Sequence, residues 1–175
     1  MLGIQIRTNI EATAGLGPRD VVELTERATR ATFYTDRLTD EQVAANERIP
    51  LLAGQVFFAA AHSETQHLAA AFAAQRLAGF MIATHHGPDD LELDWLMVDP
   101  ERHGSGLATQ LMDEGMSWLG LDRPIWLTVI KHNQRAIRFY RRCGFEIDVD
   151  TDLGRTIPTW IMRRPAGAAP AVAST

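Results

Sequence analysis

Two stretches of this 175-residue chain combine residue types at spacings that can do chemistry. The first is Val98-Asp99-Pro100-Glu101-Arg102-His103-Gly104-Ser105-Gly106-Leu107-Ala108. Gly104 and Gly106 let successive backbone N–H groups turn toward one point. The helical pattern that starts at Leu107 adds unpaired donors and the positive end of a helix dipole. Such a nest attracts a phosphate or pyrophosphate without a net positive protein, and small Ala108 allows close approach. The bland alternative is a plain tight turn between strand and helix. The stretch has neither the Gly-Lys-Ser/Thr ending of a Walker loop nor a complete GxGxxG fingerprint.

The second stretch carries Asn133, Ala136 and Tyr140. Asn133 suits a helix N-cap, and offsets of three and seven put all three residues on one helix face. Ala136 leaves room between cap and tyrosine for a ligand arm. Otherwise Asn133 is only a cap and Tyr140 only a core residue. Adjacent His85 and His86 stand in a Gly-Pro turn and lack the i, i+4 spacing of zinc ligands, so no metal is expected. Cys143, just before helix-closing Gly144, reads as a packed small hydrophobe.

The elements that must hold these residues follow from periodicity and turn chemistry. Ile4, Ile6 and Thr8 alternate with polar residues as in a half-buried strand. Pro18 opens a helix with Val21, Val22, Leu24, Ala28 and Ala31 on one stripe. Thr39 to Gln42 forms a capping box for a second helix, expected to break at Pro50. Three strands follow, at 68–74, 77–84 and 91–98, with the turn of the last pair spanning His85 to Asp90. On the third, Trp95 is expected to face away from Asp94 and into the core. A helix covers 107–119 and ends at Gly120, a strand 124–130, and a helix 133–142. Strands near 145–149 and 156–162 complete the order β-α-α-β-β-β-α-β-α-β-β, a mixed α/β arrangement with helices packed on a central sheet.

Composition narrows the functional classes. With 46% hydrophobic and 22% charged residues the chain can bury a sizeable core, so wholesale disorder is excluded. A formal net charge of −5 argues against a broad nucleic-acid footprint. No apolar stretch reaches the roughly 18 residues of a membrane span. A lone cysteine and an N-terminus without a signal-peptide pattern fit a cytoplasmic protein. One domain over 1–164 is expected, with 165–175 a disordered tail.

Taken together, the two stretches resemble the GNAT superfamily of N-acetyltransferases. His103 to Ala108 is similar to its acetyl-CoA pyrophosphate motif, Q/R-x-x-G-x-G/A, and Asn133-x-x-Ala136-x-x-x-Tyr140-x-x-Cys143-Gly144-Phe145 to its second cofactor motif. Both motifs occur in order and correctly spaced. The match is close over about residues 77–146, and the element order agrees over 1–164. His103 departs from the usual glutamine or arginine. That leaves the backbone donors in place and bears on one phosphate contact, which it weakens or makes pH-sensitive.

The resemblance implies the acyl-CoA N-acyltransferase fold: an α/β, α+β-like domain whose mostly antiparallel seven-stranded sheet splays between its fourth and fifth strands, flanked by about four helices. It implies an N-acetyltransferase that moves acetyl from acetyl-CoA directly to an amine of a small molecule or peptide, without metal, nucleic acid or membrane. A homodimer is common in the family. An acyl-CoA-binding regulatory module without turnover is the alternative. Carried over by position, the backbone of Leu96, Met97 and Val98 binds pantetheine and the thioester carbonyl. His103, Gly104, Ser105, Gly106, Leu107 and Ala108 hold the pyrophosphate, and Asn133 bonds pantetheine. Tyr140 sits near the sulfur as the acid for the departing thiolate. Glu92 and Asp94, two apart on one strand and so on one face, share the role of base, directly or through water; otherwise they are solvated or salt-bridged strand carboxylates. Phe33 and Tyr34 line the acceptor pocket, or else pack in the core. Arg135, Arg138, Arg141 and Arg142 form a solvated helix face, unless one reaches the cofactor's 3′-phosphate.

Overall fold

The computed structural model describes residues 3–168; residues 1, 2 and 169–175, which include most of the expected tail, lie outside the described residues. The elements in chain order are β1 (Gln5–Thr8), α1 (Asn9–Ala12), α2 (Pro18–Thr32), α3 (Asp40–Ala60), β2 (Gln66–Ala73), β3 (Arg76–Gly87) and β4 (Asp90–Val98). A single 3₁₀ turn (Pro100–Arg102) leads to α4 (Leu107–Leu119), β5 (Ile125–Ile130), α5 (Gln134–Arg142), β6 (Glu146–Asp148) and β7 (Thr159–Arg164). All seven strands form one sheet in the order β1-β2-β3-β4-β5-β7-β6. Each ladder is antiparallel except that between β4 and β5. This is the mixed α/β arrangement expected from the sequence, with five α-helices among the described residues.

Helices cover both faces. Leu107, Leu111, Met112 and Leu119 of α4 and Ile137 of α5 pack with Met81, Leu91, Leu93 and Leu127. On the other face Val21, Leu24 and Ala28 of α2 and Ala53 and Phe57 of α3 close over Leu68, Phe80 and Ile82. With both faces covered, alanine-rich β2 is buried from His67 to Ala73, which is why it forms a strand despite alanine's helical preference.

Several expectations are corrected. α3 does not break at Pro50 but runs from Asp40 to Ala60. Its buried stripe of Asn46, Pro50, Ala53, Phe57 and Ala60 keeps helical spacing through the proline, so continuous packing outweighs one lost hydrogen bond. The short helix α1 and the 3₁₀ turn carry no periodic signal and were not anticipated. The turn expected over His85 to Asp90 shrinks to Pro88 and Asp89, because β3 continues to Gly87. There His85 pairs with Leu91 and Gly87 with Asp90, leaving His86 as an extra residue in the ladder. β7 begins at Thr159 rather than 156, just past Pro158, which has no N–H to give a ladder.

A second irregularity reorients the functional strand. Ile82 pairs with Trp95 and Ala83 with Leu93, so Asp94 is an extra residue and strict alternation fails there. Trp95 therefore does not face away from Asp94. It packs on the α2–α3 side against Phe80, with ring centroids 6.4 Å apart.

Past this bulge β4 parts from β5. Only Glu92 and Trp126 pair across them, and the halves beyond diverge. The sheet is splayed where the family resemblance requires. Gly79 helps hold the free half of β4. A Cβ on it would lie 2.8 Å from the Met97 carbonyl oxygen and 3.1 Å from Leu111 Cδ1. Gly79→Ala must therefore push the β4 backbone aside. It is expected to cost about 1–3 kcal/mol in urea unfolding, and wild-type stability would contradict this close approach.

Candidate active-site cleft

A cleft of about 750 Å³ opens where β4 and β5 part. Leu96, Met97 and Val98 of β4 line one wall, and Thr128, Val129 and Ile130 of β5 the other. The backbone edges facing this gap have lost their partner strand, so their donors and acceptors are available to an extended ligand.

The loop before α4 closes one end. Gly104 and Gly106 adopt φ of +81° and +84°, in the left-handed region that favours glycine. A Cβ at either would meet nothing within 4 Å, so the space before the loop is open. No side chain caps α4, and its first intrahelical bond runs from Gln110 N–H to the Gly106 carbonyl. The N–H groups preceding Gln110 therefore end at the cleft without helical partners. The loop is anchored by Asp99, which accepts bonds from Arg27 Nη2 (2.7 Å) and Glu101 N–H (3.1 Å). Burial works against the Asp99 carboxylate, but these bonds and the charges of Arg27 and Arg76 outweigh it and hold its pKa below the ordinary value.

The cleft also carries cations: Arg102, Arg135 and Arg142 all line it. The α5 arginines expected as one solvated face therefore divide, with Arg135 and Arg142 at the cleft. Arg135 Nη1 donates to His103 Nδ1 at 2.5 Å. Burial, followed by the Arg135 charge, lowers the His103 pKa, so the imidazole is held neutral as an acceptor. Asn133 caps α5 by accepting the Ala136 N–H at 3.1 Å through Oδ1, and its Nδ2 is left to donate. Asn133, Ala136 and Tyr140 line the cleft together. Tyr140 is 9% exposed, and burial pushes its pKa well above the ordinary phenol value, keeping it protonated.

The far end mixes apolar walls with a few charges. Phe33, Ile49, Leu52, Trp95 and Ile157 line the cleft together with Asp94 and Arg155. Phe33 is fixed through its carbonyl, which accepts bonds from His132 Nε2 (3.1 Å) and Asn46 Nδ2 (3.2 Å). Glu92 lies just behind the lining, 6% exposed, with Oε2 2.7 Å from His86 Nε2. Burial is the main reason its pKa is raised, followed by the Asp94 charge; the bond to His86 and the charges of His86 and Arg155 oppose that rise. Asp94 is also raised by burial, against the charges of His86 and Arg155. Two partly dry carboxylates thus share one corner and hold protons more readily than free ones.

The sequence-derived residues are mostly brought together. Leu96, Met97, Val98, His103, Gly104, Gly106, Leu107, Ala108, Asn133, Tyr140, Asp94 and Phe33 all line this one cleft. Three stand apart. Glu92 is a layer behind. Tyr34 is 37% exposed and does not line the cleft. Ser105 turns both its N–H (3.2 Å) and its hydroxyl (2.7 Å) back to the Arg102 carbonyl. Reading the sequence alone missed Arg102 and Arg155 as cleft residues and took His86, the partner of Glu92, for a turn residue only. Arg102 was within the glycine loop and could have been counted with it. The other two have no motif or period to mark them.

Comparison with known proteins places this geometry. The family model described as "Acetyltransferase (GNAT) family" matches residues 23–145. An uncharacterized N-acetyltransferase of Mycobacterium tuberculosis is 36% identical over 77 residues, which is 42% of this chain and 48% of the relative. A spermidine N(1)-acetyltransferase of Escherichia coli is 39% identical over 57 residues, 30% of each chain. The chain thus spans about half, or less, of the length of the curated relatives it matches. In fold it is similar to the PaiA N-acetyltransferase of Thermoplasma acidophilum in complex with coenzyme A, with a TM-score of 0.71 at 20% identity over 93% of this chain and 99% of that one. Since the matched span takes in the parted strands, the glycine loop and the Asn133–Tyr140 helix alike, this chain belongs to the GNAT family of acetyltransferases.

Proposed function

We propose that the protein is an acetyl-CoA-dependent N-acetyltransferase, moving acetyl directly to the amine of a small molecule or peptide. The observation that carries this reading is the pairing of two features in one cleft: strands parted after a single Glu92–Trp126 bridge, and an uncapped helix N-terminus beside them. The first suits an extended pantetheine arm, added like a strand. The second suits a pyrophosphate, aided by Arg102, Arg135 and Arg142. Membership of the family and the coenzyme A complex of the PaiA enzyme support the same ligand.

The chain's residues then divide the work. Backbone groups of Leu96 to Val98 bind the arm, and an N–H there polarises the thioester carbonyl. Residues 103, 104 and 106–108 hold the pyrophosphate, while Ser105 shapes the turn. Asn133 donates Nδ2 to pantetheine. Asp94, at the cleft, takes the acceptor's proton, with Glu92 behind it. Tyr140 gives its proton to the departing thiolate. Phe33, Trp95, Ile49 and Leu52 pack the body of the acceptor. Tyr34, being outside the lining, touches only an acceptor large enough to project from the mouth. Transfer is direct: burial, then the Asp113 charge, pushes the Cys143 thiol up to about 11, leaving little thiolate to act as a nucleophile.

The test is a thiol-release screen with acetyl-CoA over amines, amino acids, polyamines and peptides, run beside a thermal-shift titration with coenzyme A. Saturable stabilisation by coenzyme A together with acceptor-dependent thiol release is expected. Binding without release for any acceptor would leave an acyl-CoA-binding module instead. No shift at millimolar coenzyme A would end both readings.

A further inference from the structure

His86 has no part in the scheme above, yet its pairing with Glu92 is built with care. Two ladder irregularities bracket Glu92, one at His86 and one at Asp94. The first carries His86 back over Glu92, so that Nε2 and Oε2 meet at 2.7 Å. The Glu92 side chain is 8% exposed and that of His86 42%. One partner is therefore inside and the other reaches water. The His86 ring stacks on Trp126 with centroids 6.0 Å apart, and Trp126 Nε1 donates to Asp90 Oδ1 at 2.7 Å, which fixes the stack. This is more order than a solvated turn histidine needs.

Resting on the acetyltransferase reading, we propose that Glu92 and His86 form the outlet by which the acceptor's proton leaves the cleft for solvent. The proton count requires such an exit. An amine arrives as ammonium, R–NH₃⁺, and the products are an amide and a thiol. The ammonium N–H bond breaks first, and its proton goes to Asp94. The amine nitrogen then bonds to the acetyl carbon and the C–S bond breaks. Tyr140 protonates the departing sulfur, and the second nitrogen proton restores Tyr140. One proton per turnover is left over. It passes from Asp94 to Glu92, and from Glu92 Oε2 to His86 Nε2, which releases it to water. An imidazole is the side chain best suited to exchange protons near neutral pH. The groups facing it are Glu92 and Asp94 of β4 and the ring of Trp126 of β5, which Asp90 of β4 holds; Arg155 of the β6–β7 segment acts on the two carboxylates, and Arg123 is bonded to the Pro88 carbonyl in the adjoining turn. His86 acts through Glu92 and does not touch the acceptor.

The test uses the full chain carrying His86→Gln, His86→Ala or Glu92→Gln, with coenzyme A thermal shift as the check on folding and binding. Thiol release is followed across pH 6–9 with and without added imidazole. Both His86 variants are expected to keep the coenzyme A shift and to lose about tenfold or more in kcat. Added imidazole should restore His86→Ala in proportion to its concentration, because it can accept the proton at the vacated position. Glu92→Gln should fall as far and gain nothing from imidazole. Wild-type kcat in His86→Gln, or a loss in His86→Ala that imidazole does not restore, would overturn the outlet while leaving the acetyltransferase reading intact. A wild-type protein that binds coenzyme A but acetylates no amine would overturn both.

Discussion

Replacing Gly106 with glutamate is expected to abolish coenzyme A binding, with isothermal titration showing affinity weakened by at least about 100-fold. Three effects act in the same direction. The residue sits at φ +84°, so any side chain strains the backbone and disturbs the direction of the N–H groups beside it. A Cβ there meets nothing within 4 Å, so the new side chain starts out into the open space that the ligand needs. Its carboxylate then faces two phosphates. At an effective dielectric near 20, unit like charges 4 Å apart repel by about 4 kcal/mol, and each 1.4 kcal/mol is a factor of ten in affinity. Gly106→Ala separates the causes, because it carries the strain without the bulk or the charge. An intermediate loss is expected for it. Wild-type affinity in Gly106→Glu would mean that the pyrophosphate lies elsewhere.

That loop was legible in the sequence because its chemistry is local: two glycines, a strand before them and a helix after. The same holds for the Asn133 cap and for the Ala136 and Tyr140 positions one turn and two turns beyond it. Locality also explains why most element boundaries came out well, since turn residues and hydrophobic period are short-range signals. The acceptor end was less legible. Asp94 and Trp95 follow the alternation rule on paper, but an extra residue in the ladder resets the faces between them. Nothing in the single strand announces that shift, which depends on the register of β3. Arg155 affects carboxylates more than sixty positions earlier in the chain. His86 looked like a turn residue because Gly87 and Pro88 follow it, and only the bulge shows it folded back onto Glu92. Pro50 failed in the opposite sense. A local rule predicted a break, and packing along the whole length of α3 overrode it.

Tyr140→Phe is expected to lower kcat by about 100-fold or more, within the range for removing a positioned acid, while coenzyme A affinity stays within a few-fold of wild type. The hydroxyl alone is lost, and the ring keeps its contacts with Phe139 and Phe145. The surroundings explain why a phenol that holds its proton so firmly can still donate it. Burial disfavours any thiolate formed nearby, as it does at Cys143, just past the end of α5, whose thiol burial and then the Asp113 charge push up to about 11. A sulfur anion expelled beside Tyr140 is therefore a strong base held out of water. Transfer from the phenol as the C–S bond breaks relieves it without populating a free thiolate. This makes a specific prediction about pH. Because burial raises the Tyr140 pKa well above the assay range, the phenol is fully protonated throughout pH 6–9. The ratio of wild-type to Tyr140→Phe kcat should then be flat across that interval, while the profiles themselves still bend on the acid side, where the base must accept a proton. A ratio that falls toward alkaline pH would show the phenol ionising in the working range. Unchanged thiol release in Tyr140→Phe would remove Tyr140 from the proton transfer altogether and leave water as the donor to sulfur.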